Sequence, residues 1–292
     1  MSFLHWIPEP TTIDKWSYLS MNINPIAIDL LEKNQEKINW YWLSENPNAI
    51  HILEQNLEKI VWYWLSKNPN AIPLLEKNPD KIYWDFLSSN PNAISILEQT
   101  LSSHTSTPEF SVQASSSTPP LLQNPDKIDW YSLSQNPNAI HLLEQNPEKI
   151  NWSKLSMNPN AIHMLEKNPD KINWESLSMN PNAIHLLEKN PDKIDWHSLS
   201  MNPNAIPILE KNPDKIVWYW LSMNPNAIHI LEQNPEKINW DSIYQNPAIF
   251  GIDFKEIEMR MNIIKEELIA VALHPDRIAH LFELEEELDY YI

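Results

Sequence analysis

The sequence predicts an all-α fold: an α-solenoid of short helix pairs with a 22-residue period, about ten repeats and capping helices at its ends. Three observations carry this. First, Trp40, Trp62, Trp84, Trp130, Trp152, Trp174, Trp196, Trp218 and Trp240 recur at a fixed place, with seven of the eight intervals equal to 22 and the other to 46. Second, each unit holds two Asn-Pro pairs, such as Asn136-Pro137 and Asn146-Pro147. Third, the apolar residues between them fall at helical spacing.

Asparagine is a good N-cap, and proline suits the first helical position, where its missing N–H would have no partner. Each pair is therefore expected to end one short helix and start the next. In the first helix of a unit, Asn138 to Glu144, the residues Ala139, Ile140, Leu142 and Leu143 share one face, and His141, Glu144 and Gln145 the other. The second helix carries Trp152 and Leu155 on one stripe. Ile150 does not fit that stripe, which leaves either a 3₁₀ turn or a helix buried on two sides. A strand-based leucine-rich horseshoe shares the period. Here no alternating apolar run survives, and two prolines per unit would interrupt a strand. With helices about 8–10 Å apart, the stacked units should extend as an elongated, curved rod.

The consensus Asn-Pro-Asn-Ala-Ile-His-Leu-Leu-Glu-Lys-Asn-Pro-Asp-Lys-Ile-x-Trp resembles the tandem repeats of uncharacterised proteins of giant DNA viruses of amoebae, mimivirus-like and related. The likeness covers the start, Trp6-Ile-Pro through Trp16-Ser-Tyr-Leu-Ser, and the ending, Glu266-Glu-Leu through His274-Pro-Asp-Arg-Ile. A looser likeness joins it to leucine-rich-variant repeats, which pair short helices in a superhelix. The resemblance implies the solenoid fold and a viral source; it implies no activity.

Along the chain, residues 1–22 read as an N-terminal cap or degenerate repeat built on Trp16, followed by repeats over 23–100. Residues 101–123 form a Ser/Thr/Pro-rich insert that cannot bury enough apolar surface to fold alone, and is expected to be disordered. Repeats resume over 124–246. Residues 247–292 change to longer, charged amphipathic helices that suit a C-terminal cap.

Composition narrows the function. The 292 residues include one glycine, Gly251, and no cysteine. Phosphate loops, dinucleotide fingerprints, nucleophile elbows and calcium loops all need glycine at set places. Without cysteine there is no disulfide, thiolate nucleophile or cysteine-bound zinc. The 39 acidic against 21 basic residues leave a formal charge of −18, which disfavours nucleic acid and favours a basic protein partner. The longest apolar run, Leu268 to Leu273, is too short to span a bilayer. No secretory signal opens the chain, so an intracellular location is expected: host cytoplasm, or the virion.

Histidine recurs at His51, His141, His163, His185 and His229, each with a glutamate three residues on. Successive units lie too far apart for one ion to bridge. The equivalent positions hold Pro73, Ser95 and Pro207, so these side chains read as a solvated face, with no metal, cofactor or catalytic residue assigned. The anchor tryptophans read as a buried core ladder. Comparison of repeats separates this scaffold from positions one, two and five after the tryptophan, which vary freely and share one helix face. They place Tyr41, Trp42, Tyr63, Trp64, Phe86, Tyr219 and Trp220 as candidate partner-binding residues, since aromatics anchor interfaces. A monomeric, non-enzymatic scaffold for a host or viral protein is the expectation. The alternative is a self-assembling structural protein of a particle.

Overall fold

A computed structural model describes residues 2–102 and 127–251. Most of the insert and of the expected C-terminal cap lies outside the described residues. Two bodies are distinguished, residues 9–249 and the flanking segments up to Pro8 and from Phe250. In the flanks, β1 (Ser2–Phe3) pairs antiparallel with β2 (Phe250–Gly251), Ser2 opposite Gly251 and Phe3 opposite Phe250. The Phe3 and Phe250 rings stack at 4.8 Å. The chain's one glycine stands where a Cβ would come within 2.6 Å of Leu4 Cδ2.

Residues 9–249 are the predicted α-solenoid. A representative unit runs through a tryptophan helix (Trp152–Met157), an extended Asn158, an Ala-Ile helix (Ile162–Lys167) and a 3₁₀ turn (Pro169–Lys171). Ile150 follows such a 3₁₀ turn in extended conformation, which explains its misfit to the helical stripe. In the Ala-Ile helix the expected faces are observed: Ala139, Leu142 and Leu143 are buried, while His141, Glu144 and Gln145 are exposed. Leu155 and its counterparts in the other units are fully buried, and fill the space between the two helices.

The two Asn-Pro pairs do different work. Asn158 Oδ1 accepts the backbone N–H of Asn160 at 3.0 Å, and so opens a turn as an N-cap would. The second asparagine was also expected to be an N-cap, and it is not one. Asn168 Nδ2 instead donates to Met164 O, four residues back, and closes the preceding helix. Asn168 has φ −133° and Asn158 φ −73°. Both turns thus keep negative φ, which removes the need for glycine in the repeat.

The first asparagine of each unit also joins it to the one before. Asn180 Nδ2 donates to Ser156 O at 3.0 Å and Asn158 O at 2.8 Å, while its Oδ1 accepts Asn182 N–H at 2.9 Å. Both donors and one of the two acceptor sites of a fully buried amide are thereby used. A serine two residues earlier adds a second link. Ser156 Oγ donates to Trp152 O at 2.7 Å and accepts Asn173 N–H at 3.0 Å. The asparagine link crosses the insert unbroken, from Asn136 to Ser88 O and Asn90 O.

It also runs from the first unit to the last. Asn22 Nδ2 donates to Tyr244 O at 2.8 Å and Asn246 O at 2.9 Å, and Asn24 Nδ2 to Pro247 O at 2.8 Å. Helix α1 (Ile13–Met21) packs on the 3₁₀ segment Ser242–Gln245 as other tryptophan helices pack on their neighbours. Residues 9–249 therefore close on themselves, and the expected elongated, curved rod is not formed. Ten units share the turn at about 36° each, a small per-repeat rotation. Helix α1 thus packs as the tryptophan helix of a first unit.

The seam is chemically distinct. Tyr244 replaces the linking serine and is fully buried. Lys15 N–H turns to Thr12 Oγ1 instead, while Lys15 Nζ sits 5.7 Å from the Tyr244 ring centroid. Burial, then the charge of Asp241, pushes the Tyr244 hydroxyl up to about 12.

Two outcomes follow. Asn180→Ala takes the side-chain donor from the buried Ser156 carbonyl and one of two donors from Asn158 O, which keeps the Ala161 N–H at 3.2 Å, and should cost roughly 1–3 kcal/mol, whereas Asn182→Ala, at an exposed link, should cost about 1 kcal/mol or less; urea midpoints compare them. For Tyr244, a raised folded-state pKa means its contribution is intact below pH 10 and lost as pH rises to about 12. The wild-type melting temperature should therefore fall more steeply over that range than that of Tyr244→Phe.

Candidate functional site: the inner wall

The tryptophan helices of successive units pack side by side, as in Trp152–Met157 on Trp174–Met179 and the latter on Trp196–Met201. Successive Ala-Ile helices make no comparably close approach. The shorter spacing belongs to the smaller radius, so the tryptophan helices form the inner wall of the closed array. Leucine and serine three and four residues after the tryptophan point to the core. Positions one, two and five lie opposite and face inward.

The anchor tryptophans themselves correct an expectation. Trp16 is buried, but the other nine are only partly so. The lysine that ends the unit's own 3₁₀ turn lies over the ring in most of them. Lys171 Nζ is 4.5 Å from the Trp152 centroid, and Lys37, Lys59, Lys149, Lys193, Lys215 and Lys237 repeat the arrangement at 4.5–4.8 Å. A partly exposed ring lets the ammonium keep its water while meeting the negative ring face. The ladder is thus cation–π as well as apolar.

On the inner wall, position one of one unit meets position two of the next. Tyr41 and Trp64 lie 5.3 Å apart edge to face, and Tyr63 and Phe86 5.3 Å apart. Trp42 and Trp64 are 5.8 Å apart. Tyr41, Trp42, Tyr63, Trp64 and Phe86 therefore form one continuous cluster, as their shared helix face requires. Tyr83 joins it, 5.9 Å from Tyr63. Sequence reading passed over Tyr83, although a signal was present: most units hold Asn or Asp there, as in Asn173, whose Oδ1 caps the helix by accepting Ser176 N–H.

Tyr219 and Trp220 form a second pair at 4.8 Å. They stand far from the first cluster in sequence, yet closure brings unit 1 near them. Tyr18, two residues after Trp16, lies with its hydroxyl beside that of Tyr219. Burial raises the Tyr18 pKa first, followed by Tyr219, Asp241 and Asp14. Tyr18 occupies the same variable position as Trp42, and was missed because the first unit was read apart from the array. Desolvation, then the Tyr41 hydroxyl, likewise raises Tyr63. Trp64 Nε1 is buried without an acceptor at hydrogen-bonding distance and angle, yet is near enough to Tyr63 to oppose that rise slightly.

Beside the cluster is a cavity of about 400 Å³ bounded by Met21, Trp42, Glu45, Pro47, Lys67 and Ser89. Lys67 Nζ bonds Glu45 Oε1 at 2.6 Å and lies 5.5 Å from the Trp64 ring centroid. The polar half of the wall is different in kind. Ser153 and Ser176 hydroxyls meet at 3.3 Å, and Lys154 Nζ lies 4.9 Å from the Tyr131 centroid.

The histidines lie on the Ala-Ile helices, away from this wall. Their partner is the glutamate of the preceding unit, not the one three residues on. His163 Nε2 meets Glu144 Oε1 at 2.9 Å, and His185 meets Glu166 at 3.1 Å. About half of each side chain is exposed, so these pairs form a solvated ladder of little individual strength. Among the described residues no group of three or more His, Asp and Glu is placed to hold a metal, and no helix is long and apolar enough to cross a membrane. Comparison with protein-family models, curated proteins and solved structures finds no match to this chain.

Proposed function

We propose that this chain is a non-enzymatic repeat scaffold that binds a host or viral protein through its inner wall. One observation supports this above others. Positions one, two and five after the tryptophan, which vary between repeats, share that wall, while the asparagine, serine and leucine positions that hold the units together hardly change. A constant frame with one variable face is how repeat proteins present extended binding surfaces. The wall is also where aromatic residues collect, and Tyr41, Tyr83, Tyr131 and Tyr219 keep 38–53% of their surface exposed. Rigid aromatic groups with a polar tip are favoured interface anchors.

The test is affinity capture with the wild type and with a Trp42→Ala, Trp64→Ala, Trp220→Ala variant of unchanged helical content. A partner held by the wild type and lost by the variant is expected. Equal capture by both would remove the inner wall from the interaction. Sedimentation should show one species independent of concentration; growth into larger assemblies would turn the reading towards a structural role.

A further inference from the structure

We infer that the inner channel seats an extended basic segment of the partner, its lysine and arginine side chains set against the aromatic arc and the wall's unpaired carboxylates. This rests on the scaffold reading above and names the chemistry of what is bound.

The channel has room. Ten helices spaced about 8–10 Å apart close with their axes roughly 15 Å from the centre. Subtracting a helix radius of about 5–6 Å with side chains leaves space for one extended chain.

The charges on the wall are one-sided once internal pairs are removed. The two lysines at its variable positions are already engaged, Lys67 by Glu45 and Trp64, Lys154 by Tyr131. Asp85, Glu175 and Asp241 project from position one of their units, are exposed, and have no salt-bridge partner among the described residues. A cationic segment finds free carboxylates and aromatic faces there. An acidic segment finds no free lysine at these positions.

The chain also demonstrates the recognition chemistry on itself. In one unit after another a lysine ammonium lies over a tryptophan ring, and Lys154 does the same over a wall tyrosine. The exposed Tyr41 and Tyr219 offer that surface with no lysine over them among the described residues. The chain's own C-terminal sequence is a poor occupant on charge grounds, since its acidic residues outnumber its basic ones.

Fluorescence anisotropy with a labelled nine-residue oligoarginine tests this on the full chain. A neutral glycine-serine peptide of equal length is the control. Three variants separate the sources of attraction. Asp85→Asn, Glu175→Gln, Asp241→Asn removes the inner carboxylates from exposed sites without touching the core. Tyr41→Ala, Tyr219→Ala removes exposed rings. Glu148→Gln, Asp170→Asn, Asp192→Asn neutralises the same number of charges on the 3₁₀ turns outside the wall.

The inner-charge and ring variants should each weaken binding by about tenfold, and the outer variant by about twofold or less. Equal weakening by inner and outer charge variants would overturn the proposal, because the −18 charge alone would then account for binding. Failure of the wild type to bind oligoarginine would also overturn it. If a protein were still captured through Trp42, Trp64 and Trp220, the scaffold reading would stand with a partner of different chemistry.

Discussion

Every interface between units depends on one buried asparagine amide. Asn46, Asn68, Asn158 and their counterparts each span from a turn in their own unit to two carbonyls of the unit before. The amide is short, so the carbonyls must come to one place at one spacing. That fixes the register between units more tightly than leucine packing alone. Burial makes the constraint strict, because a slipped register would leave the amide and the serine carbonyl without partners in a dry environment, and the asparagine carbonyl with only its turn bond, as from Ala161 N–H to Asn158 O. Proline after the asparagine fixes the next φ and helps hold the turn the amide opens.

Closure follows from this rule applied without exception. Asn22 finds Tyr244 O and Asn246 O where any interior asparagine finds its own two carbonyls. The first and last units thereby become interior ones, and no apolar helix face is left at an end of the array. The chain accommodates the seam by replacing serine with Tyr244, whose ring fills the junction with α1. Closure also has a functional consequence. It turns one face of each tryptophan helix into the lining of a channel, and sets Tyr18 beside Tyr219 despite about two hundred residues between them.

The unit was legible in the sequence because each of its determinants is local. The tryptophan period, the apolar spacing of Ala139, Leu142 and Leu143, and the invariance of the scaffold against Tyr41, Trp42 and their equivalents all lie within one or two repeats. Closure was not legible in that way. It arises from a small rotation summed over ten units, set by the difference in spacing between inner and outer helices, and no residue pattern displays that difference. The second asparagine was misassigned because an Asn-Pro pair fits an N-cap and a C-cap equally well until the direction of its side chain is known. The histidine's partner was not legible for a related reason, since Glu144 is near His141 in sequence but reaches His163 in space.

The channel exists only if the array closes, and a distance between the first and last units tests closure most directly. The absence of cysteine allows two spin labels to be placed cleanly, at Asp14 of α1 and Asp241 beside the final tryptophan. Both carboxylates act on the Tyr18 hydroxyl in the closed array. Double electron–electron resonance should give a dominant distance within two or three helix spacings, roughly 25 Å or less. A dominant distance of about 70–90 Å, nine unbroken steps along an open rod, would contradict the closed ring and the channel built from it.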